Sequence, residues 1–272
     1  MHDAFAEING QRLRYRLRGE GPLAVFGHGL MGSMDALGID FGELDALDER
    51  VRLLMYDARG HGQSEGPEAP EGYTWEALGR DMAAFAAEHA PGERAIFGGG
   101  SMGAATSLWV ALERPELVRA LVIVAPPPLG HPHMRGPEEH KALQLFDVVS
   151  AAIENFGFEK MVELAAMMPA ASPAEAETRR QWLTAQNPRT LRHVLRGVVT
   201  SPYHDPEEYR RIAVPTLIVA HEGDALHPVR AARLLHERVP GSRLRVAPSS
   251  AWWGEHRTDF VDEVTAFLDA VG

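Results

Sequence analysis

The chain contains no cysteine, which excludes disulfides, thiolate catalysis and cysteine-ligated metal sites. It also has no basic, apolar leader at its N-terminus and no apolar run long enough to span a membrane, so we expect a cytoplasmic protein. Basic residues are scarce: 27 Lys and Arg oppose 38 Asp and Glu, giving a formal net charge of −11. Nucleic acids and anionic membranes are bound through basic patches, so we expect neither as a partner.

What the sequence does contain is a regular alternation of strand-like and helix-like segments. An Asn-Gly pair at 9–10 predicts a hairpin within residues 5–18. Apolar runs typical of strands buried on both faces of a parallel sheet follow at 23–26, 51–56, 95–97, 121–124 and 214–220. Segments with helical periodicity separate these runs. The order predicts an α/β fold with a doubly wound sheet.

The alternation is interrupted once, by a long stretch with helical periodicity and no convincing strand. After the interruption the sheet pattern resumes, with a last strand near 244–246 and a C-terminal helix that carries Phe260, Val264 and Phe267 on one face. We therefore expect a core formed by residues 1–130 and 211–272. Residues 131–210 should form a helical insertion.

The most informative segment is Gly99-Gly100-Ser101-Met102-Gly103, which fits the G-x-S-x-G pattern of a nucleophile elbow. A serine at so sharp a strand-to-helix turn has strained backbone angles, and the glycines two residues away avoid a clash. The turn exposes the hydroxyl and places the next amide at a helix N-terminus, where negative charge is stabilised. The alternative is a glycine-rich turn of a nucleotide-binding fold.

With three further motifs in order, the chain resembles the α/β-hydrolase fold family over nearly its whole length. These motifs are His28-Gly29-Leu30-Met31-Gly32, Asp57-Ala58-Arg59-Gly60-His61-Gly62-Gln63-Ser64 and Gly223-Asp224-Ala225-Leu226-His227-Pro228. The resemblance implies a mostly parallel sheet of the α/β-hydrolase type, with the helical insertion as a cap (lid) over the active site.

The resemblance also implies catalytic roles. Ser101 would be the nucleophile, Asp224 the acid of a catalytic triad, and the amides of Leu30 and Met102 the oxyanion hole. His28 and His61 lie in motifs that are structural in the family, and we interpret them as packing or loop-bracing residues. His221 and His227 flank the acid, and we interpret them as loop residues, since the family's histidine base follows the last strand.

The loop after the last strand has no histidine where the family pattern requires one. Counting from the flanking residues places the base at 250, 251 or 252, and we take Ala251 as the expected position. An engineered substitution could have removed the histidine, His256 could replace it through a longer loop, or the protein could truly lack a base. Losing the base of a serine triad costs about 10⁶ in turnover. The chain should therefore bind substrate and barely turn it over.

Apolar residues around these motifs suggest the substrate. Met31, Leu129, Trp252 and Trp253 are candidates for the pocket, together with cap residues that could instead be plain cap core: Phe146, Phe156, Met161, Met167 and Met168. They favour a hydrophobic small-molecule ester or lactone as the partner. The sequence shows no phosphate loop, metal cluster or arginine clamp, so we expect no metal and no cofactor. A C–C bond hydrolase, a lyase on the same fold and a non-catalytic ligand-binding relative remain alternatives.

Overall fold

The computed structural model describes residues 3–35, 37, 44–130, 132–167, 173–249, 252 and 255–271. In this part of the chain, eight strands form one sheet in the order β1-β2-β4-β3-β5-β6-β7-β8. The strands are β1 Ala4–Ile8, β2 Gln11–Arg18, β3 Leu23–Gly27, β4 Arg52–Tyr56, β5 Ala95–Gly100, β6 Val118–Val124, β7 Thr216–His221 and β8 Arg243–Ala247.

The sheet is mostly parallel, which confirms the predicted fold class. Every pair from β4 through β3 to β8 is parallel, while β1 and β2 pair antiparallel at one edge. Positive φ at Asn9 and Gly10, 47° and 76°, gives the tight turn predicted between β1 and β2. Crossover helices bury both faces of the parallel strands, which explains why these strands read as continuous apolar runs.

Helices flank the sheet and connect its strands. They are α1 Trp75–His89, α2 Met102–Glu113, α3 Pro137–Phe156, α4 Phe158–Ala166, α5 Pro173–Thr184, α6 Leu191–Thr200, α7 Val229–Arg238 and α8 Arg257–Val271. Within the described residues, none of the helices combines the length and apolar character needed to cross a membrane. Helical spacing in the sequence from about 35 to 47 also predicts a helix. The described part of this segment includes a 3₁₀ turn at Leu44–Leu47, and residues 36 and 38–43 lie outside the described residues.

Two apolar layers hold the helices against the sheet. One layer lies between the sheet and α1, α2 and α7, and it includes Phe85, Phe97 and Leu108. The other lies under α8, whose Phe260, Val264 and Phe267 are buried on one face as the periodicity predicts. The sheet is therefore packed on both faces, and the loops at the carboxyl ends of its strands begin from this core.

Helices α3 to α6 occupy the chain between β6 and β7, and no strand interrupts them in the residues that the structure describes there. They form a third apolar cluster around Ile153, Met161, Leu183, Leu191 and Leu195. This cluster also takes in a buried side chain from outside these helices, that of Met31 in the loop after β3.

Candidate active site

Ser101 occupies the turn between β5 and α2 that its motif predicts. Its backbone has φ 51° and ψ −106°, a conformation that a non-glycine residue rarely adopts. Its amide donates to the Val124 carbonyl at the end of the neighbouring strand, at 3.0 Å. Strain of this kind persists only where the surroundings enforce it, as they do at many functional sites.

The glycines of the motif allow the elbow to pack against the end of β3. A Cβ added at Gly99 would lie 2.2 Å from the Gly27 carbonyl oxygen, and one added at Gly103 would lie 2.1 Å from the same atom. Neither contact is possible for a real side chain. The close approach brings Ser101 next to the His28–Gly32 loop, which follows β3.

A histidine joins Ser101 to Asp224. The Nδ1 of His227 lies 2.7 Å from Asp224 Oδ2, and its Nε2 lies 2.7 Å from Ser101 Oγ. The interpretation of His227 as a mere loop residue was therefore wrong. Its imidazole lies directly between the serine and the carboxylate.

The loop after β7 positions both groups by a local turn. One carboxylate oxygen of Asp224 accepts the amides of Leu226 and His227, at 2.8 and 3.1 Å, and the other is left to contact the imidazole. Aspartate favours turns because its side chain can bond its own backbone two residues on. Pro228 then precedes the first turn of α7. Acid and imidazole thus come from one loop, three residues apart.

The ionisation of Asp224 suits it to hold an imidazole. Burial alone would raise the pKa of this carboxyl, but the hydrogen bond and charge of His227 and the two backbone amides outweigh it and lower the pKa to about 2. The group is therefore a carboxylate at neutral pH. A carboxylate at Nδ1 fixes the tautomer with the proton on Nδ1, which leaves Nε2 to accept the Ser101 hydroxyl proton.

Two backbone amides beside Ser101 have no acceptor in the described part of the chain. They belong to Leu30, in the loop after β3, and to Met102, at the first position of α2. The Gly103 amide donates to the His28 carbonyl at 3.1 Å and ties the two segments together. A Cβ added at Gly29 would approach the Ser101 Cβ to 3.7 Å. This is the arrangement expected of an oxyanion hole.

His28 and His61 lie beneath these loops and brace them. Both are buried, and their rings are 5.0 Å apart. His28 Nε2 accepts the Ala58 amide at 3.0 Å, and its Nδ1 donates to the Gly29 carbonyl at 2.7 Å. In the same region Asp57 accepts the Met34 amide at 2.8 Å. These hydrogen bonds hold the loops in shape, and none of them involves Ser101.

The structure does not bring the other candidate bases to Ser101. His256 is exposed, its ring stacks on Trp252 at 4.3 Å, and its Nδ1 lies 2.9 Å from the Trp252 carbonyl. His221 Nε2 lies 3.6 Å from Asp224 Oδ2, on a carboxylate whose closer partner is His227. Position 251, where we expected the base, lies outside the described residues, as do positions 250 and 253.

The predicted pocket residues fall into four groups. Met31 and Leu129, each 4% exposed, are packed in apolar clusters, as are Met161 and, partly, Phe146. Trp252 is half-buried, while Trp253 and Met168 lie outside the described residues. Phe156 and Met167 are 63% and 76% exposed, so the expectation that they line a pocket or the cap core was wrong. Helical periodicity identifies an apolar face but does not show what covers it.

The described residues contain no group of three or more histidine and acidic side chains that could hold a metal ion. The arrangement of Ser101, His227 and Asp224 has the chemistry of a nucleophile, a general base and an orienting acid. It can be recognised by its geometry, whatever the order of its members along the chain.

Comparison with known proteins identifies the family of the chain. The family model described as "alpha/beta hydrolase fold" matches residues 22–253. The chain therefore belongs to the α/β-hydrolase fold family. It is 30% identical over 261 residues to a Klebsiella pneumoniae protein named "Putative carbamate hydrolase RutD", a match that covers 90% of this chain and 88% of that protein.

Two solved structures resemble the whole chain. A hydrolase from Pseudomonas aeruginosa superposes with a TM-score of 0.77 at 26% identity, covering 98% of both chains. An enol-lactonase from Burkholderia xenovorans superposes with a TM-score of 0.78 at 22% identity, covering 98% of this chain and all of the other. At 22% identity, the likeness to the enol-lactonase shows a shared fold alone.

Proposed function

We propose that the protein is a serine hydrolase that cleaves a carboxylic ester or lactone of a hydrophobic small molecule through an acyl-enzyme, with His227 as its base. The observation that supports this proposal is the unbroken hydrogen-bond chain from Asp224 through His227 to Ser101, at 2.7 Å in both links. Membership of the α/β-hydrolase family supports it further, as do the amides of Leu30 and Met102, for which the described residues offer no acceptor.

In the acylation step, His227 Nε2 takes the Ser101 proton as Oγ attacks the substrate carbonyl. The Leu30 and Met102 amides stabilise the negative charge on the carbonyl oxygen of the tetrahedral intermediate. Asp224 stabilises the imidazolium that forms. When the intermediate collapses, the imidazolium gives its proton to the leaving alcohol, and the acyl group stays on Ser101.

Deacylation repeats these steps with water. His227 accepts a proton from the water as its oxygen attacks the acyl-enzyme carbonyl, and the same two amides hold the second oxyanion. Collapse releases the carboxylic acid, and the proton on the imidazolium returns to Ser101. For a lactone, alcohol and acid are parts of one opened molecule.

An active enzyme with His227 as its base replaces the expectation of an almost inactive chain. That expectation followed from the lack of a histidine after the last strand, and His227 supplies an imidazole from the loop of the acid. We further propose that residues 131–210 act as a cap over 1–130 and 211–272, and that the half-buried Trp252 favours hydrophobic substrates.

The test is hydrolysis of p-nitrophenyl esters of increasing acyl length by the wild-type protein, by His227→Ala and by His256→Ala. We expect measurable turnover in the wild type, a fall in kcat of about 10⁶ in His227→Ala, and little change in His256→Ala, whose imidazole stacks on Trp252.

Two outcomes would contradict the proposal. An inactive wild type that binds hydrophobic esters would favour the non-catalytic relative, especially if Ala251→His then raised activity by several decades. A β-diketone cleaved in preference to simple esters would favour a C–C bond hydrolase.

A carbamate is the second candidate substrate. The observation that favours it is the 30% identity to a protein named as a putative carbamate hydrolase. The same serine could attack a carbamate carbonyl and form a carbamoyl-enzyme. The ratio of kcat/KM for an aryl carbamate to kcat/KM for the matching aryl ester would decide between the two substrate classes.

A further inference from the structure

The loop that carries the Leu30 amide contains a strained residue. The Gly32 amide donates to the Gly29 carbonyl at 2.9 Å and closes a four-residue turn. Met31, the third residue of this turn, has φ 61°. Turns of this kind favour glycine or asparagine at that position, because the left-handed conformation is unfavourable for other residues.

Contacts from the helices α3 to α6 hold Met31 in this conformation. Its side chain is 4% exposed and packs in the cluster with Ile153, Met161 and Leu183. Its carbonyl oxygen accepts a hydrogen bond of 2.9 Å from Nε2 of Gln186, in the segment between α5 and α6. The same Nε2 donates to the Trp182 carbonyl near the end of α5, also at 2.9 Å. One amide therefore joins the end of α5 to the loop after β3.

The position of Met31 fixes that of its neighbour. Leu30 and Met31 are the two central residues of one turn, so a change in the backbone of Met31 would reorient the peptide groups of Leu30. A catalytic hydrogen-bond donor works only if it already points at the developing charge, and small displacements are costly.

We propose that Gln186 is a positioning residue for the oxyanion hole. By holding the carbonyl of the strained residue Met31, it couples the position of the cap on the core to the direction of the Leu30 amide. This inference rests on the proposed function, since it assumes that the Leu30 amide stabilises the oxyanion. It predicts that an incorrectly seated cap impairs the chemical step even when substrate is bound.

The test compares Gln186→Met with Thr190→Val. The first variant keeps the length of the side chain and removes the donor. The second removes another hydrogen bond from the cap to a core loop, that of Thr190 Oγ1 to the Gly60 carbonyl at 2.8 Å, without touching the turn at Met31. Thr190→Val thus controls for a general loosening of the cap.

For Gln186→Met we expect kcat for a p-nitrophenyl ester to fall about 10-fold or more, with KM nearly unchanged. The affinity for an arylboronic acid, which forms a tetrahedral adduct with the serine and places an oxygen in the oxyanion hole, should fall by the same factor. Thr190→Val should change both quantities about twofold at most. Gln186→Glu should behave like Gln186→Met, because a carboxylate cannot donate.

Equal kcat and boronate affinity in Gln186→Met and the wild type would overturn the inference and leave the proposed function intact. So would a loss of activity that only follows a smaller folded fraction, measured by thermal melting, with boronate affinity of the folded protein unchanged. An equal loss in Thr190→Val would also overturn it. A wild type without esterase activity would overturn both the inference and the proposed function.

Discussion

Acid should destabilise this protein at a pH well above the range in which carboxylates titrate, because two histidines are buried without charge. His28 and His61 are 0% and 2% exposed. Burial lowers the pKa of His28 to about 4, and burial together with the neighbouring His28 lowers the pKa of His61 to about 3. In the unfolded chain both should titrate near 6.5.

The sign and size of the effect follow from proton linkage. Between pH 6.5 and about 4 the unfolded chain binds protons that the folded protein does not, so the free energy of unfolding falls as the pH is lowered. Each histidine contributes about 1.4 kcal/mol per pH unit once its unfolded form is fully protonated. From pH 6 to pH 5 the pair should remove about 2 kcal/mol, a large part of the 5–15 kcal/mol that is typical of folded proteins.

The variant His61→Asn removes one of the two titrating side chains, so that the contribution of His61 can be measured. Asparagine can place an amide N–H near the position from which His61 Nδ1 donates to the Arg59 carbonyl at 3.0 Å, and it does not titrate. Urea unfolding followed by tryptophan fluorescence at pH 7.5, 6 and 5 measures the effect. The loss from pH 6 to pH 5 should be about 1 kcal/mol smaller in His61→Asn than in the wild type.

The exposed His140 provides the control, since His140→Asn removes a histidine that water reaches in the folded protein. That variant should keep the pH dependence of the wild type. A wild-type free energy of unfolding that is constant from pH 6.5 to pH 5 would refute the reasoning. If the free energy of unfolding of His61→Asn falls from pH 6 to pH 5 by as much as that of the wild type, the contribution assigned to His61 is refuted.

Two further predictions concern the site itself. Gly103→Ala should prevent folding or shift the elbow, because its Cβ would meet the Gly27 carbonyl oxygen at 2.1 Å, and the yield of folded protein and its melting temperature would show this. Asp224→Asn should fold but lose about 10⁴ in kcat, because an amide no longer selects the tautomer of His227 that accepts the serine proton. A loss below 10-fold in steady-state ester hydrolysis would contradict the assigned role of Asp224.

The sheet could be predicted because its signals are local. Apolar runs, the Asn9-Gly10 turn and the glycines around Ser101 each depend on backbone geometry within a few residues. Thr74 likewise predicts the start of α1, and its Oγ1 accepts the Ala77 amide at 3.2 Å. The mostly parallel sheet then follows from the order of the elements.

The imidazole partner of Ser101 could not be found in this way. The family pattern directs attention to the loop after the last strand, whereas His227 precedes α7 and reaches the serine only through tertiary structure. One signal was available. The carboxyl ends of β5 and β7 lie on the same edge of a parallel sheet, so a histidine three residues after Asp224 is near enough to be considered.

The helices α3 to α6 were harder to predict in detail than the sheet. Their periodicity is visible in the sequence, but it does not show which apolar side chains are covered, and Phe156 and Met167 are largely exposed. Met31, by contrast, is a loop residue whose side chain belongs to the apolar cluster of helices α3 to α6. Contacts of this kind depend on how two distant segments pack together.

The most direct measurement of the central claim is the rate at which a fluorophosphonate labels Ser101, followed by mass spectrometry of the modified peptide. Labelling needs the base to activate the serine and does not depend on the identity of the natural substrate. We predict rapid labelling of Ser101 in the wild type and in His256→Ala, and labelling slower by several decades in a folded His227→Ala. Equal labelling rates in His227→Ala and the wild type would contradict this prediction.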